Sequence, residues 1–309
     1  MSWFKKAFSV WLAVLMLAAL TSCGGDEEEA AKKVADDTAV VGMHFSAPEA
    51  YETVERAIQK TTDGKLMSKG ISYTISDDKS LAYAYTIAEG RKLEDEVKDN
   101  DKIETKEYNG VNIYIYKSGK KTRMAFYQDG ESVYGVQYRT ASEETIDDEF
   151  DKIMQNVKFT KDTETTLNNF KLDKVKYDVK ADVPMYSEST NIVEKPDGTL
   201  VSKSYSWEYG KDSEKTEYRF GIDQYVNCKL EEKLSEKKEY EEVKVGDITY
   251  TVEKSDSAAD EFDHYKFYVQ QGEDVYVIQN KGVSNGWLVS RSDESKAAFK
   301  TFLQSVTFK

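Results

Sequence analysis

Four side chains in this sequence carry a thiol or an imidazole, the groups that most often serve as nucleophiles, proton acceptors or transition-metal ligands. They are Cys23, Cys228, His44 and His264. A catalytic triad needs a histidine beside a nucleophile, and His44 has no such companion near it in the sequence. Cys228 lies between a predicted strand and a predicted helix with no histidine close by, which favours a partly buried structural thiol. These residues predict no nucleophilic catalysis.

Other stretches match catalytic or metal-binding motifs only in part. Ser118/Lys121 and Ser235/Lys238 have the Ser-x-x-Lys spacing, but that chemistry requires a buried lysine. The segment Asp260–His264 offers oxygen ligands without the alternating spacing and turn glycine of a calcium loop. We therefore expect no metal, no cofactor and no enzymatic activity. An envelope hydrolase acting through a carboxylate pair remains an alternative, because acidic residues are abundant.

The amino terminus has the layout of an export signal. Lys5 and Lys6 precede Ala7–Leu20, a stretch in which only Ser9 is polar, and small residues then lead into Cys23. This order is typical of a signal peptide. A single membrane-spanning helix is the alternative, but it needs about 20 consecutive apolar residues. An ordinary signal peptide with a bystander cysteine is a further alternative.

The sequence Leu-Thr-Ser-Cys at the end of this segment resembles the lipobox of bacterial lipoprotein precursors. The resemblance implies that the thiol of Cys23 receives a diacylglycerol, that the signal peptidase cuts before it, and that Cys23 becomes the first residue of the mature chain. Acyl chains such as palmitate would then hold the protein at the cell membrane, facing the extracytoplasmic side.

Charge limits the partners of the chain. Its formal net charge is −14, and loss of Lys5 and Lys6 with the signal peptide makes the mature protein more acidic still. Such a surface repels nucleic acid phosphates and anionic headgroups. We therefore expect no nucleic acid partner and expect membrane attachment only through the lipid on Cys23. With Cys23 lipidated, Cys228 has no partner for an intramolecular disulfide.

Two stretches of the chain follow one pattern. Asp63–Lys69 recurs as Asp197–Lys203, and Gly130–Tyr134 recurs as Gly272–Tyr276. Further matches, in the same order, are Tyr83, Tyr85 and Ile87 with Tyr218, Phe220 and Ile222, Leu93 and Val97 with Leu230 and Leu234, and Phe150 with Phe299. Duplication is the economical explanation. The predicted organisation is a signal peptide at 1–22, a disordered acidic tether at 23–39, a first repeat at 40–160, a linker at 161–169 and a second repeat at 170–309.

Each repeat is predicted to be an antiparallel sheet with two helices. Asp63-Gly64 and Asp197-Gly198 are predicted turns between strands, because glycine accepts the positive φ of a tight hairpin. Leu93 and Val97, like Leu230 and Leu234, have the spacing of a short amphipathic helix. The closing helix of each repeat has an apolar face that includes Phe150 or Phe299, with Thr145 and Ser292 as predicted N-caps. This order of elements and the Phe-x-x-Phe/Ile-Leu/Met-x-x-Val-x-Phe ending resemble the PsbP-like fold. The resemblance implies an α+β class and supplies no catalytic residues.

The tyrosines stand out as candidates for ligand binding. In Gly110–Tyr116, Val111, Ile113 and Ile115 alternate with Tyr114 and Tyr116, so the two tyrosines share one face of a predicted strand. Tyrosine packs well on a half-buried sheet, which is one interpretation. The other is a stacking platform for sugars or peptides.

Together these patterns predict a lipid-anchored extracytoplasmic protein that acts as a non-enzymatic binding or interaction module. Its expected partners are envelope proteins or wall polymers. A solute-binding receptor is the third interpretation, although such receptors alternate strands and helices around parallel sheets.

Overall fold

The structure is a computed structural model. It describes residues 40, 42–87, 90, 92–99, 102–159, 172, 174–179, 181–211, 216–255, 262–281, 283–285, 288–290 and 292–309. The predicted signal peptide, lipidated Cys23, acidic tether at 23–39, linker at 161–169 and residue Asp260 lie outside this part. No helix in the part that is described is long and apolar enough to cross a bilayer.

The described residues form two compact units. Unit 1 takes its residues from Met1–Ile58, Leu66–Asn168 and Val193–Thr199, and unit 2 from Gln59–Lys65, Asn169–Ile192 and Leu200–Lys309. Residues 59–65, at a hairpin tip in the first half of the chain, therefore belong to unit 2. Residues 193–199, at a hairpin tip in the second half, belong to unit 1.

A similar succession of elements occurs twice, with a 3₁₀ turn in place of the first helix and two additional strands, β18 (Val283–Asn285) and β19 (Leu288–Ser290), in the second. The first is β1 (Met43–His44), β2 (Thr53–Thr61), β3 (Leu66–Ser76), β4 (Lys79–Ile87), α1 (Leu93–Val97), β5 (Ile103–Tyr108), β6 (Val111–Lys117), β7 (Thr122–Asp129), β8 (Ser132–Arg139), α2 (Ile146–Asn156) and β9 (Lys158–Phe159). The second is β10 (Val175–Lys176), β11 (Met185–Glu194), β12 (Leu200–Gly210), β13 (Thr216–Tyr225), a 3₁₀ turn (Leu230–Lys233), β14 (Tyr240–Val245), β15 (Ile248–Glu253), β16 (Lys266–Gln271), β17 (Asp274–Asn280), β18 (Val283–Asn285), β19 (Leu288–Ser290), α3 (Asp293–Ser305) and β20 (Thr307–Phe308).

The α+β, PsbP-like fold class predicted from the sequence is wrong. In unit 1 the strands pair antiparallel in the order β3–β4–β8–β7–β6–β5, and in unit 2 in the order β14–β15–β16–β17–β13–β12. The part of the chain that is described contains three α-helices, so the fold is mainly β. The prediction gave too much weight to helical spacing in short segments. At Leu230 and Leu234 that spacing produces only a 3₁₀ turn, and Leu234 is extended. Because the residues between and after them are mostly charged, few apolar contacts support a longer helix.

Local turn chemistry explains the hairpins. Gly64 and Gly198 have φ of 87° and 82°, a region that glycine adopts without steric cost. They follow Asp63 and Asp197 in the turns between β2 and β3 and between β11 and β12, as the sequence predicted. The predicted strands on both sides of these turns and the short helix at Leu93–Val97 are confirmed.

The register of the sheet corrects one part of the repeat alignment. Tyr134 pairs with Tyr85 in unit 1, and its match Tyr276 pairs with Gln224 in unit 2. The alignment from sequence had matched Tyr85 with Phe220. The β12–β13 connection is three residues longer than the β3–β4 turn, and each hairpin has a register irregularity close to this end, so the two alignments differ by four residues. Insertions at loops carry little penalty.

Each unit has its main core between the sheet and its closing helix. In unit 1, Ile146, Phe150 and Met154 of α2 are buried against β-strand residues that include Tyr83 and Tyr138. In unit 2, Phe299, Phe302 and Leu303 of α3 are buried against residues that include Phe220 and Phe267. The predicted apolar faces of both closing helices are thus confirmed.

The two closing helices begin differently. Ser292 is the predicted N-cap of α3, and its Oγ accepts a hydrogen bond from Ser295 N at 3.1 Å. Thr145 precedes α2 but makes no such bond, because its backbone is already helical. Its hydroxyl instead donates to Ser142 Oγ at 2.9 Å. Both predicted residues occupy the N-cap positions, and of the two only Ser292 makes the capping hydrogen bond.

Three acidic residues of α2 hold the helix to the unit 1 sheet. Asp147 accepts from Arg123 Nε at 2.6 Å. Glu149 accepts from the Tyr138 hydroxyl and lies 3.5 Å from Lys79 Nζ. The third, Asp151, accepts hydrogen bonds from Lys106 and Tyr108.

These contacts change the pKa values of the three carboxyls. The hydrogen bond from Arg123 lowers the pKa of Asp147. Burial on its own would raise the pKa of Glu149 and Asp151, but the hydrogen bonds and nearby lysines bring both below their usual range. All three groups therefore favour the folded state in their ionised form.

Acid is expected to weaken unit 1 through these residues. A carboxyl whose pKa is depressed by folding contributes stability above its unfolded-state pKa and loses it as the pH falls through the folded value. The urea midpoint of the wild-type protein should thus fall between about pH 5 and pH 2. The triple variant Asp147→Asn, Glu149→Gln, Asp151→Asn should show a flatter pH dependence. Asp148→Asn, at an exposed position of the same helix, serves as the control, and equal slopes in all three proteins would contradict the assignment.

Charged side chains occupy the terminal strands of the sheet. β5 ends the strand order on the unit 1 side and β14 on the unit 2 side. Glu104, Lys106 and Glu107 are exposed on β5, and Glu241, Glu242 and Lys244 are exposed on β14. Charges at such positions oppose pairing with further strands.

Candidate functional site

Tyr114 and Tyr116, the ligand-binding candidates from the sequence, lie half-buried on β6. They pack beside a small apolar cluster beneath α1 that includes Leu93, Val97 and Phe126. Burial raises the pKa of Tyr114, with a further contribution from the charge of Glu94. Part of each side chain therefore serves packing, and ligand binding at these two residues stays a prediction.

A second group of aromatic residues forms a continuous cluster in unit 1, here called the aromatic patch: Tyr85, Tyr127, Tyr134 and Phe159. The ring centroids of Tyr127 and Phe159 are 4.6 Å apart, those of Tyr134 and Phe159 5.4 Å, and those of Tyr85 and Tyr134 5.7 Å. Tyr85 and Tyr134 are buried, whereas Tyr127 and Phe159 are half-buried. The aromatic patch thus extends from the core of unit 1 to its surface.

Polar groups border the aromatic patch. Ser132 Oγ is 3.4 Å from the Tyr85 hydroxyl. Burial raises the pKa of Tyr127 and Tyr134, and the nearby carboxylate of Asp129 raises both further. An aromatic surface with hydroxyl and carboxylate groups beside it can stack against an apolar ligand face and accept its hydrogen bonds.

The residues of unit 2 that the structure describes form no equivalent patch. The sheet register matches Tyr134 with Tyr276, but it matches Tyr127 with Val269 and Tyr85 with Gln224. Tyr276 packs against Phe308, with centroids 4.9 Å apart, and is fully buried. The sequence did not identify the patch, because its members come from four separate strands. The available signal was the presence of Tyr127 and Tyr134 on either side of the turn between β7 and β8.

Unit 2 instead contains a buried charged cluster around Glu208 of β12. Its Oε2 accepts from Gln59 Nε2 at 3.0 Å, Ser187 Oγ at 3.1 Å and the Tyr186 hydroxyl at 2.5 Å. Its Oε1 forms an ion pair with Arg219. Four side chains therefore hold this carboxylate in place, which favours a structural role for Glu208.

Of the other thiol and imidazole residues in the described part of the chain, Cys228 and His264 make structural contacts, and His44 is exposed. Cys228 is buried beside Val275 and Val277. His264 is buried, with Nδ1 3.1 Å from the carbonyl oxygen of Glu253 and its ring edge-on to Phe267. His44 is exposed on β1. In the part of the chain that the structure describes, no group of three or more His, Cys, Asp or Glu side chains is placed to hold a metal ion.

The sequence matches no protein-family profile and no curated protein. Among solved structures, a similarity was found to "Crystal structure of MucB in complex with MucA(peri)", with 8% sequence identity over 84% of this chain and 93% of that chain and a TM-score of 0.16. A similarity at this level carries no argument about the fold or the function.

Proposed function

We propose that this protein is a lipid-anchored extracytoplasmic binding module that engages a component of the cell envelope without converting it chemically. The lipobox-like sequence ending at Cys23 supports the location. The observation that carries the binding role is the aromatic patch of unit 1, with Tyr127 and Phe159 partly open to solvent.

The chemistry of the acidic residues favours binding over hydrolysis. A glycosidase needs two carboxyl groups of which one stays protonated near neutral pH. In unit 2, Glu208 and Asp223 are buried acids, but Glu208 is paired with Arg219 and accepts three further hydrogen bonds. These contacts favour a structural role for this carboxylate.

The ligand class follows from the surroundings of the aromatic patch. Aromatic rings stack against the apolar faces of sugars and peptides, and Asp129 and Ser132 provide hydrogen-bonding groups at its border. A chain with a net charge of −14 repels polyanions. We therefore propose a neutral or basic ligand, for which the glycan strands of the cell wall are the first candidate.

Binding should depend on the aromatic patch. The soluble chain from residue 24 is incubated with chito-oligosaccharides and with insoluble peptidoglycan, and bound protein is quantified by calorimetry and by sedimentation. Tyr127→Ala and Phe159→Ala should each weaken binding by about tenfold or more, as central aromatic contacts do. Tyr265→Ala, which removes an exposed tyrosine of unit 2, should leave binding unchanged.

The same measurement decides between the two tyrosine surfaces. If Tyr114→Ala and Tyr116→Ala weaken binding while the Tyr127 and Phe159 variants do not, the platform lies on β6, as the sequence suggested. Absence of binding by the wild-type protein to both materials would contradict a glycan ligand.

A further inference from the structure

A carboxylate at the end of the β16–β17 hairpin of unit 2 binds a lysine side chain. Asp274 is 2% exposed, and its Oδ2 accepts hydrogen bonds from Lys174 Nζ and from Gln224 Nε2, both at 2.9 Å. Its Oδ1 accepts from the backbone N–H of Asn227 at 3.2 Å. The side chain of Lys174 is 64% exposed. An ammonium group that reaches the hairpin from the surface is therefore held here by a buried carboxylate.

Unit 1 has a carboxylate at the matching end of its β7–β8 hairpin, on the opposite strand. In unit 2, Asp274 pairs with Gln271 across the hairpin. The corresponding pair in unit 1 is Ser132 with Asp129. Residues that pair directly across an antiparallel ladder point to the same face of the sheet. The acid therefore lies on the other strand in unit 1 but on the same face.

Asp129 shares this face with the aromatic patch. It follows Tyr127 by two residues on β7, and side chains two apart on a strand point the same way. Tyr127 pairs in turn with Tyr134 of β8. Burial raises the pKa of both tyrosines, and the charge of Asp129 raises it further, as expected for a carboxylate at this place. Asp129 is exposed and forms no ion pair with a lysine, arginine or histidine in the part of the chain that the structure describes.

The residue of unit 1 that corresponds to Lys174 is a glycine. Strand β10 pairs with β20 in unit 2 as β1 pairs with β9 in unit 1. Lys174 immediately precedes β10, and Gly42 immediately precedes β1. Glycine has no side chain with which to reach a carboxylate. Unit 1 thus keeps the acid at the hairpin end without the lysine that pairs with it in unit 2.

We infer that the ligand of the aromatic patch carries an ammonium group, which pairs with the carboxylate of Asp129 as Lys174 pairs with Asp274 in unit 2. The inference rests on the proposed function and narrows its neutral or basic ligand to a basic one. Tyr127 and Phe159 are the members of the patch that are partly open to solvent, and aromatic ring faces attract ammonium groups. Glucosamine units without their acetyl group and amine side chains of wall peptides both offer this chemistry.

Matched pairs of ligands test the inference on the soluble chain from residue 24. A glucosamine hexasaccharide with free amines is compared with its fully N-acetylated form, and a lysine tripeptide is compared with its Nε-acetylated form. Calorimetry is carried out at about pH 6 and about 0.15 M salt, so that the amines are cationic and distant charges are screened. The wild-type protein should bind the amine form of at least one pair about fivefold more tightly, which is the effect of a favourable exposed ion pair. The pair that shows the preference identifies the source of the amine.

Two variants with the same change of net charge separate a local ion pair from a general attraction of cations to an acidic protein. Asp129→Asn should abolish the preference for the amine form. Asp78→Asn, an exposed position in the β3–β4 turn, should retain it. If the preference falls equally in both variants or in neither, the inference is wrong and the proposed function stands. Equal binding of amine and acetylated forms by the wild-type protein would overturn the inference in the same way, whereas no binding of any of the four ligands would overturn the proposed function with it.

Discussion

Replacing Phe299 with alanine is expected to lower the free energy of unfolding of unit 2 by about 3–5 kcal/mol. The side chain is fully buried, and its ring centroid lies 5.4 Å from that of Phe220 and 5.7 Å from that of Phe267. Truncation removes this burial and leaves a cavity that rigid neighbouring rings cannot close. Phe150→Ala should have an effect of similar size in unit 1, where Phe150 is likewise buried under the closing helix.

Urea unfolding followed by two signals measures these effects. Circular dichroism reports both units, whereas fluorescence of Trp207, which is buried in unit 2 with its ring 5.7 Å from that of Phe302, reports unit 2. Phe299→Ala should shift the fluorescence midpoint strongly. Tyr265→Ala, at a position 49% exposed, should change stability by less than about 0.5 kcal/mol. If the two variants were equally stable, the assignment of α3 as the cover of the core would be wrong.

Replacing Cys23 with serine is expected to release the protein from membranes completely. Under the proposed function one thiol carries all the lipid, and each buried methylene of an acyl chain contributes about 0.8 kcal/mol to membrane affinity. Serine retains the size of the side chain but cannot form the thioether. The acidic remainder of the chain has no electrostatic attraction to anionic headgroups.

The matched control for this experiment is Cys228→Ser, which alters the other cysteine of the chain and should leave the membrane fraction unchanged. Both variants are expressed with radiolabelled palmitate and fractionated by centrifugation. Label should be absent from the Cys23→Ser protein and present in the control. Membrane association of unlabelled Cys23→Ser protein would show that another part of the chain binds the membrane.

The sequence predicted elements whose causes are local. Asp-Gly turns, alternating apolar residues and the apolar faces of two helices all act within a few residues, and the hairpins around Gly64 and Gly198 and the buried Phe150 and Phe299 are found where expected. The fold class failed because it depends on how strands assemble. Helical spacing at Leu230 and Leu234 was mistaken for a helix, and a loose family resemblance then favoured the α+β class.

The candidate sites were hidden for a related reason. Glu208 accepts a hydrogen bond from Gln59, which precedes it by 149 residues, and the aromatic patch gathers Tyr85 and Phe159 from distant strands. No spacing rule covers such distances.

The charged side chains on β5 and β14 affect how copies of this protein interact when they are crowded together. Proteins held on a membrane by lipid share a surface, so copies of one chain meet far more often than they would in free solution. An open sheet under these conditions invites growth by addition of strands from neighbouring molecules. Glu104, Lys106 and Glu107 on β5, and Glu241, Glu242 and Lys244 on β14, are exposed, and burying such charges in a new strand pair carries a desolvation cost. Under the proposed lipid anchoring, these strands would oppose association of crowded copies by strand addition.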